Sequence, residues 1–180
     1  MKPKLLIIKR ILLVLIAALS AGLQYSVAHY VKITGASPNL MFVAAVVAGF
    51  TLGGEAGGLS GLCLGLYQDA QSGKILGMHA LLFLYAGAVA GMLPKKLKPG
   101  AFPAALITVY VLTLIYEGAV YLFAYAMPIL RSGYSPGAGF LWAAVGVIIP
   151  AAFLNTLCSI PYYFILRTGK TTNPKEAMDV

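Results

Sequence analysis

Residues 38–69 read PNLMFVAAVVAGFTLGGEAGGLSGLCLGLYQD, and the fold turns on this stretch. Gly49, Gly53, Gly57, Gly61 and Gly65 recur at steps of four, and Asp69 continues the step. Residues four apart share one face of an α-helix, and a glycine there lets a second backbone come close. The segment holds about 30 residues, with Gly53, Gly54 and Glu55 in its middle. One helix across a ~30 Å hydrocarbon core takes roughly 20 residues, so the segment is too long for one span and short for two. The pattern predicts two short helices, 39–52 and 56–68. A ladder across both implies a thin hairpin packed inside a helical bundle, a face for close self-association as a homodimer, or a cleft lined by bare backbone. Gly73/Gly77 and Gly87/Gly91 repeat the spacing more weakly.

The surrounding chain supplies the membrane. Of 180 residues, 60% are hydrophobic and 10% charged, and the mean hydropathy is +0.87. A soluble domain carries about 25% charged residues, so this chain has too little polar surface to cover itself in water. That excludes a soluble enzyme and a disordered regulator, and despite a net charge of +8 it excludes a nucleic-acid-binding domain. No Asp, Glu, Lys or Arg occurs in 11–31, 33–54, 75–94 or 132–166, and 99–130 holds only Glu117. The expected architecture is an all-α, polytopic membrane protein in a single integral domain. Its six transmembrane helices cover about 5–28, 39–52, 56–68, 75–93, 103–127 and 140–166, with helices two and three short and glycine-rich. Gly35-Ala36-Ser37-Pro38, Pro94-Lys95-Lys96, Lys98-Pro99-Gly100 and Ser135-Pro136-Gly137 punctuate the spans as turns.

Charge sets the orientation. With six spans and an inside N-terminus, Lys2, Lys4, Lys9, Arg10, Lys95, Lys96, Lys98, Arg167, Lys170 and Lys175 fall inside, and Lys32, Lys74 and Arg131 outside. Ten against three is the bias of cytoplasmic loops, and it predicts both termini inside. Merging helices two and three abolishes the bias, whereas a re-entrant pair of half-helices preserves it. The basic N-terminus followed by an apolar run also imitates a secretory signal; its length points to a retained first helix. Cys63 and Cys158 fall within helices, which speaks against a disulfide framework and predicts small buried apolar side chains.

Polar residues at membrane depth are the other candidates for function. Glu117 sits near the middle of helix five, where a carboxylate is costly. At 100° per residue Tyr110, Thr113 and Tyr121 share its side of that helix, and Asn155, Ser159 and Tyr162 share a face of helix six. Two such stripes suggest an internal hydrogen-bonded seam or cavity, shaped by kinks at Pro150 and Pro161. His79 is expected to donate to backbone or to Asp69. Two histidines without a cysteine pair do not make a metal site, and no cofactor or nucleotide pattern is present.

The run Gly61-Leu62-Cys63-Leu64-Gly65-Leu66-Tyr67-Gln68-Asp69, continued by Ser72-Gly73 and Gly77-Met78-His79-Ala80-Leu81, resembles the signature of the MreD family, bacterial rod shape-determining membrane proteins. The family's helix two often opens Pro-Asp-Leu, where this chain has Pro38-Asn39-Leu40. The resemblance implies a non-enzymatic component of the cell-elongation machinery in the bacterial cytoplasmic (inner) membrane, marked by Gly61, Gly65, Asp69 and His79. It implies MreC as partner, with links to MreB filaments and to the peptidoglycan synthase RodA and its transpeptidase. The family is also similar in fold to the substrate-binding S components of energy-coupling-factor transporters. The alternative expectation is therefore a small-molecule, vitamin-type uptake subunit.

Overall fold

In the computed structural model the described residues are 3–26, 30–31, 35–72, 76–93, 102–132, 142 and 144–167, and the described side chains exclude 3–10, 125–132 and 144. These residues form six α-helices and no strand: α1 (Pro3–Ser26), α2 (Leu40–Leu52), α3 (Gly54–Ser72), α4 (Met78–Met92), α5 (Phe102–Ser132) and α6 (Ile149–Arg167). A π-helical turn, Ala144–Ile148, leads into α6. Pro150 accounts for the wider turn. It has no N–H to give the preceding carbonyls, and its ring would clash with the carbonyl four residues back in a regular helix.

The centre of the bundle is α2. Every residue from Met41 to Phe50 is buried. A helix that is apolar on all sides is stable only when enclosed on all sides. Thirteen residues rise about 20 Å, well short of the ~30 Å hydrocarbon core. α5 and the stretch from the π turn through α6 are long and apolar enough to cross a membrane.

α2 and α3 meet at Gly53 with no intervening loop. Gly53 has φ 111°, a conformation side chains with a Cβ rarely adopt. Its N–H donates to Gly49 O at 2.9 Å, and its carbonyl accepts from Gly57 N at 3.0 Å. α3 is longer than the expected 56–68 at both ends, because Gly54 continues directly from the hinge and Ser72 donates to Asp69 O in a last turn. α4 begins at Met78 instead of near 75, its start fixed by capping at Gly77 (φ 94°). Residues 133–141 and 143, which include the expected start of span six, lie outside the described residues. So do the side chains behind the charge asymmetry, Arg167 excepted.

Aromatic side chains join the helices at two levels. Phe42, Phe83 and Tyr116 of α2, α4 and α5 form one cluster, with Phe42 stacked on Tyr116 at 4.5 Å between centroids. Toward the other end, Phe102 and Phe50 pack on Tyr163, and Arg167 lies 5.8 Å above the same ring. The cysteine expectation needs correcting: Cys63 is exposed, because the inward side of α3 is occupied by glycines and Leu64, while Cys158 is half-buried.

Candidate functional site

Four of the five ladder glycines, together with those of α4, bring backbones into direct contact. A Cβ on Gly57 would overlap Gly49 Cα and Gly87 O, one on Gly61 would overlap Phe83 O, and one on Gly65 would overlap Ala80 Cα and His79 O. From the other side, Gly87 faces the Gly57 carbonyl and Gly91 faces Gly54 N. Gly49 of α2 enters the same junction at Gly87. The tightest interlock is therefore α3 on α4, with α2 locked at its inner end. Gly53 and Gly77 serve differently: no neighbour would meet a Cβ there, but both have positive φ and form turns.

Asp69 closes the other end of the α3–α4 pair. Its Oδ1 accepts from His79 N at 3.0 Å and lies 2.7 Å from His79 Nδ1. Its Oδ2 accepts from Gly77 N at 2.9 Å and Ala80 N at 3.1 Å. One carboxylate thus satisfies the orphan donors at the start of α4 and fixes the imidazole as the Nδ1–H donor. His79 also packs on Phe83 and Tyr116, which ties this clamp to the central aromatic cluster.

The start of α2 is capped as thoroughly, from three helices. Asn39 N donates to Asn155 Oδ1 at 2.7 Å, Leu40 N to Gln24 Oε1 at 2.7 Å, and Phe42 N to Asn39 Oδ1 at 3.0 Å. Asn39 Nδ2 donates to the Tyr116 hydroxyl at 3.2 Å, and Asn155 Nδ2 to Thr113 Oγ1 at 3.4 Å. Thr113 in turn donates to Val109 O. Asn155 and Thr113 are fully enclosed. Enclosed away from water, every backbone donor needs such a partner.

Of the expected polar seam, the structure joins Thr113 and Asn155. Ser159 bonds to Thr156 O of its own helix. Tyr162 turns to α1, 2.9 Å from Ser20 Oγ; as Ser20 donates to Ile16 O, Tyr162 is the donor. Tyr110 and Tyr121 are half-buried on α5. Glu117 is also half-buried and has no hydrogen-bond partner among the described residues. The node runs instead through Tyr116, Asn39 and Gln24, none of which the helical stripes single out. Asn39 was legible as a cap residue before a helix; the roles of Tyr116 and Gln24 depend on which helices become neighbours.

Residues 5–168 match the sequence model described as rod shape-determining protein MreD. The chain belongs to the MreD family. The match spans all six helices and includes the ladder, the Asp69–His79 clamp and the Asn39–Asn155 node. No curated protein and no solved structure matches the chain. Membership makes this chain a rod shape-determining membrane protein of a family of structural components. In this MreD-family chain the marked residues Gly61, Gly65, Asp69 and His79 form one continuous contact between α3 and α4.

Proposed function

We propose that this chain is a non-enzymatic scaffold of the cell-elongation machinery that crosses the cytoplasmic membrane six times with both termini inside. On this reading it binds MreC and helps to organise peptidoglycan synthesis by RodA and its transpeptidase, in register with MreB. The observation that supports a scaffold is the use of the interior polar groups. Asp69 holds the start of α4, and Asn39, Asn155 and Gln24 hold the start of the buried α2, so the core is a braced frame. A vitamin-binding subunit needs polar groups converging on a ligand instead.

The test is purification in mild detergent from cells in which the wild-type gene restores rod shape to a deletion strain. Co-recovery of MreC supports the scaffold. Recovery of a transporter energising module, or of a bound vitamin, would overturn it.

A further inference from the structure

We propose that the outward face of the α3–α4 pair seats a bilayer thinner than the one that fits α5 and α6, so that this chain gathers short-chain lipid on one side of its frame. The inference goes beyond the scaffold reading and rests only on its six-span part, in which α3 and α4 cross the membrane.

The first observation is the height of that face. α4 has 15 residues and rises about 22 Å. On α3 the exposed carboxylate of Glu55 marks the inner end of the outward stripe. Tyr67 marks the outer end, packed edge-on against Tyr25, whose hydroxyl donates to Gln68 Oε1 at 3.3 Å. Exposed tyrosines of this kind sit at membrane–water interfaces. Glu55 and Tyr67 are twelve residues apart, a rise of about 18 Å. In the sequence Lys74 and Lys95 bracket α4. The large side chains exposed between these limits are apolar or aromatic: Leu59, Leu66, Leu81, Tyr85, Val89 and Met92. An apolar strip closed at both ends by charge and tyrosine has the outline of a lipid-facing surface, about 20 Å tall where the usual hydrocarbon core is ~30 Å. The strip cannot lengthen, because the pair is held in register at both ends, by Gly54 against Gly91 and by Asp69 with His79.

The second observation is a step between the two sides of the bundle. Phe50 at the inner end of α2 and Phe102 at the start of α5 both pack on Tyr163 near the end of α6, which levels the inner ends. The start of α2 is bonded to Tyr116 and Asn155, and His79 packs on the same Tyr116, which levels the outer ends of α2 and α4. α5 and α6 continue outward from there. Their apolar stretches, Phe102–Ala124 and Val145–Arg167, hold 23 residues each and rise about 34 Å. That height fits an ordinary bilayer, whereas the α3–α4 strip falls short by about 8–12 Å. A span shorter than the hydrocarbon core is accommodated by thinning the bilayer around it, at a cost that grows with each ångström of mismatch. Tilting the bundle does not remove the step, because tilt lowers the height of a helix and never raises it. Lipids with shorter chains therefore meet the strip at lower cost than lipids with long ones.

The experiment reads lipid choice at each side separately. Trp142 is the one tryptophan of the chain, so Trp142→Phe gives a dark background for Tyr85→Trp on the α4 strip or Ile115→Trp on α5, both at exposed positions. The full-length protein is reconstituted in dioleoyl phosphatidylcholine together with phosphatidylcholine carrying brominated 14-carbon or 22-carbon chains, which quench tryptophan fluorescence on contact. At position 85 the relative binding constant should favour the 14-carbon lipid over the 22-carbon lipid by at least about twofold, and position 115 should not share that preference. The inference is overturned by a smaller or opposite preference at 85, or by the same preference at 115. Quenching at 85 by neither lipid overturns it too. Cross-linking then separates a second copy seated on the strip, which leaves six spans intact, from α4 lying outside the bilayer, which overturns the six-span reading as well.

Discussion

Alanine in place of Gly61 tests the interlock most directly, because elementary helix propensity predicts the opposite sign. A Cβ at 61 would lie 2.6 Å from Phe83 C and 3.0 Å from Leu84 N, and it would overlap Phe83 O. All three atoms are backbone, so no rotamer change relieves the contact. Restoring an ordinary ~3.5–4.0 Å separation moves α3 away from α4 by about 1 Å, which loosens Gly57 and Gly65 as well. Overpacking of this kind costs roughly 1–3 kcal/mol, with rigid backbone at the upper end. The gain from replacing a helical glycine is about 1 kcal/mol. The net is about 2 kcal/mol of destabilisation, or ~4–8 °C in Tm at ~2–4 °C per kcal/mol for a chain of this size. Gly22→Ala in α1 is the control. Nothing lies within 4 Å of its Cβ position. Only the propensity gain remains there, about 1 kcal/mol and ~2–4 °C upward. Thermal unfolding in mild detergent, read by loss of the monodisperse peak, measures both. A Gly61→Ala protein as stable as wild type, or shifts of the same sign for both variants, would refute backbone contact between α3 and α4.

Two further outcomes follow from the capped helix starts. Asp69→Asn keeps one acceptor but turns an amide N–H₂ toward either Gly77 N and Ala80 N or His79; an unsatisfied buried donor costs ~1–3 kcal/mol, so Tm should fall. Asn155→Leu conserves volume but strands Asn39 N, costing ~1–3 kcal/mol. Faster hydrogen exchange at the start of α2, with α4 unchanged, is the expected readout.

Local chemistry explains which features could be read from the sequence. The hinge at Gly53, the pairing of Asp69 with His79 and the all-helical class follow from residue type and short spacing. Gly87 and Gly91 read as weaker repeats, yet they are the other half of the interlock, since only the folded pair shows which glycines face each other. The α5 stripe was ordered by polarity, and polarity groups Glu117 with Thr113. Packing favours Tyr116, whose ring stacks on Phe42 and whose hydroxyl meets Asn39. The Asn39 amide does what a carboxylate cannot: it accepts at the helix cap and donates to Tyr116. That double use depends on α2 being surrounded, which no periodicity within α2 reveals.

The enclosure of α2 has a consequence for how the protein is made. It is the second helix to leave the ribosome, yet part of its wall comes from α4, α5 and α6, the last of them synthesised about a hundred residues later. The bond between Asn39 and Asn155 joins residues 116 positions apart. Until the C-terminal helix arrives, the start of α2 has an open side and an unsatisfied donor. Chain order and packing order thus run in opposite senses: the centre is laid down early and closed last. A ribosome stalled before α6 would leave a five-helix intermediate whose most buried segment is still exposed, the state that quality-control proteases should recognise.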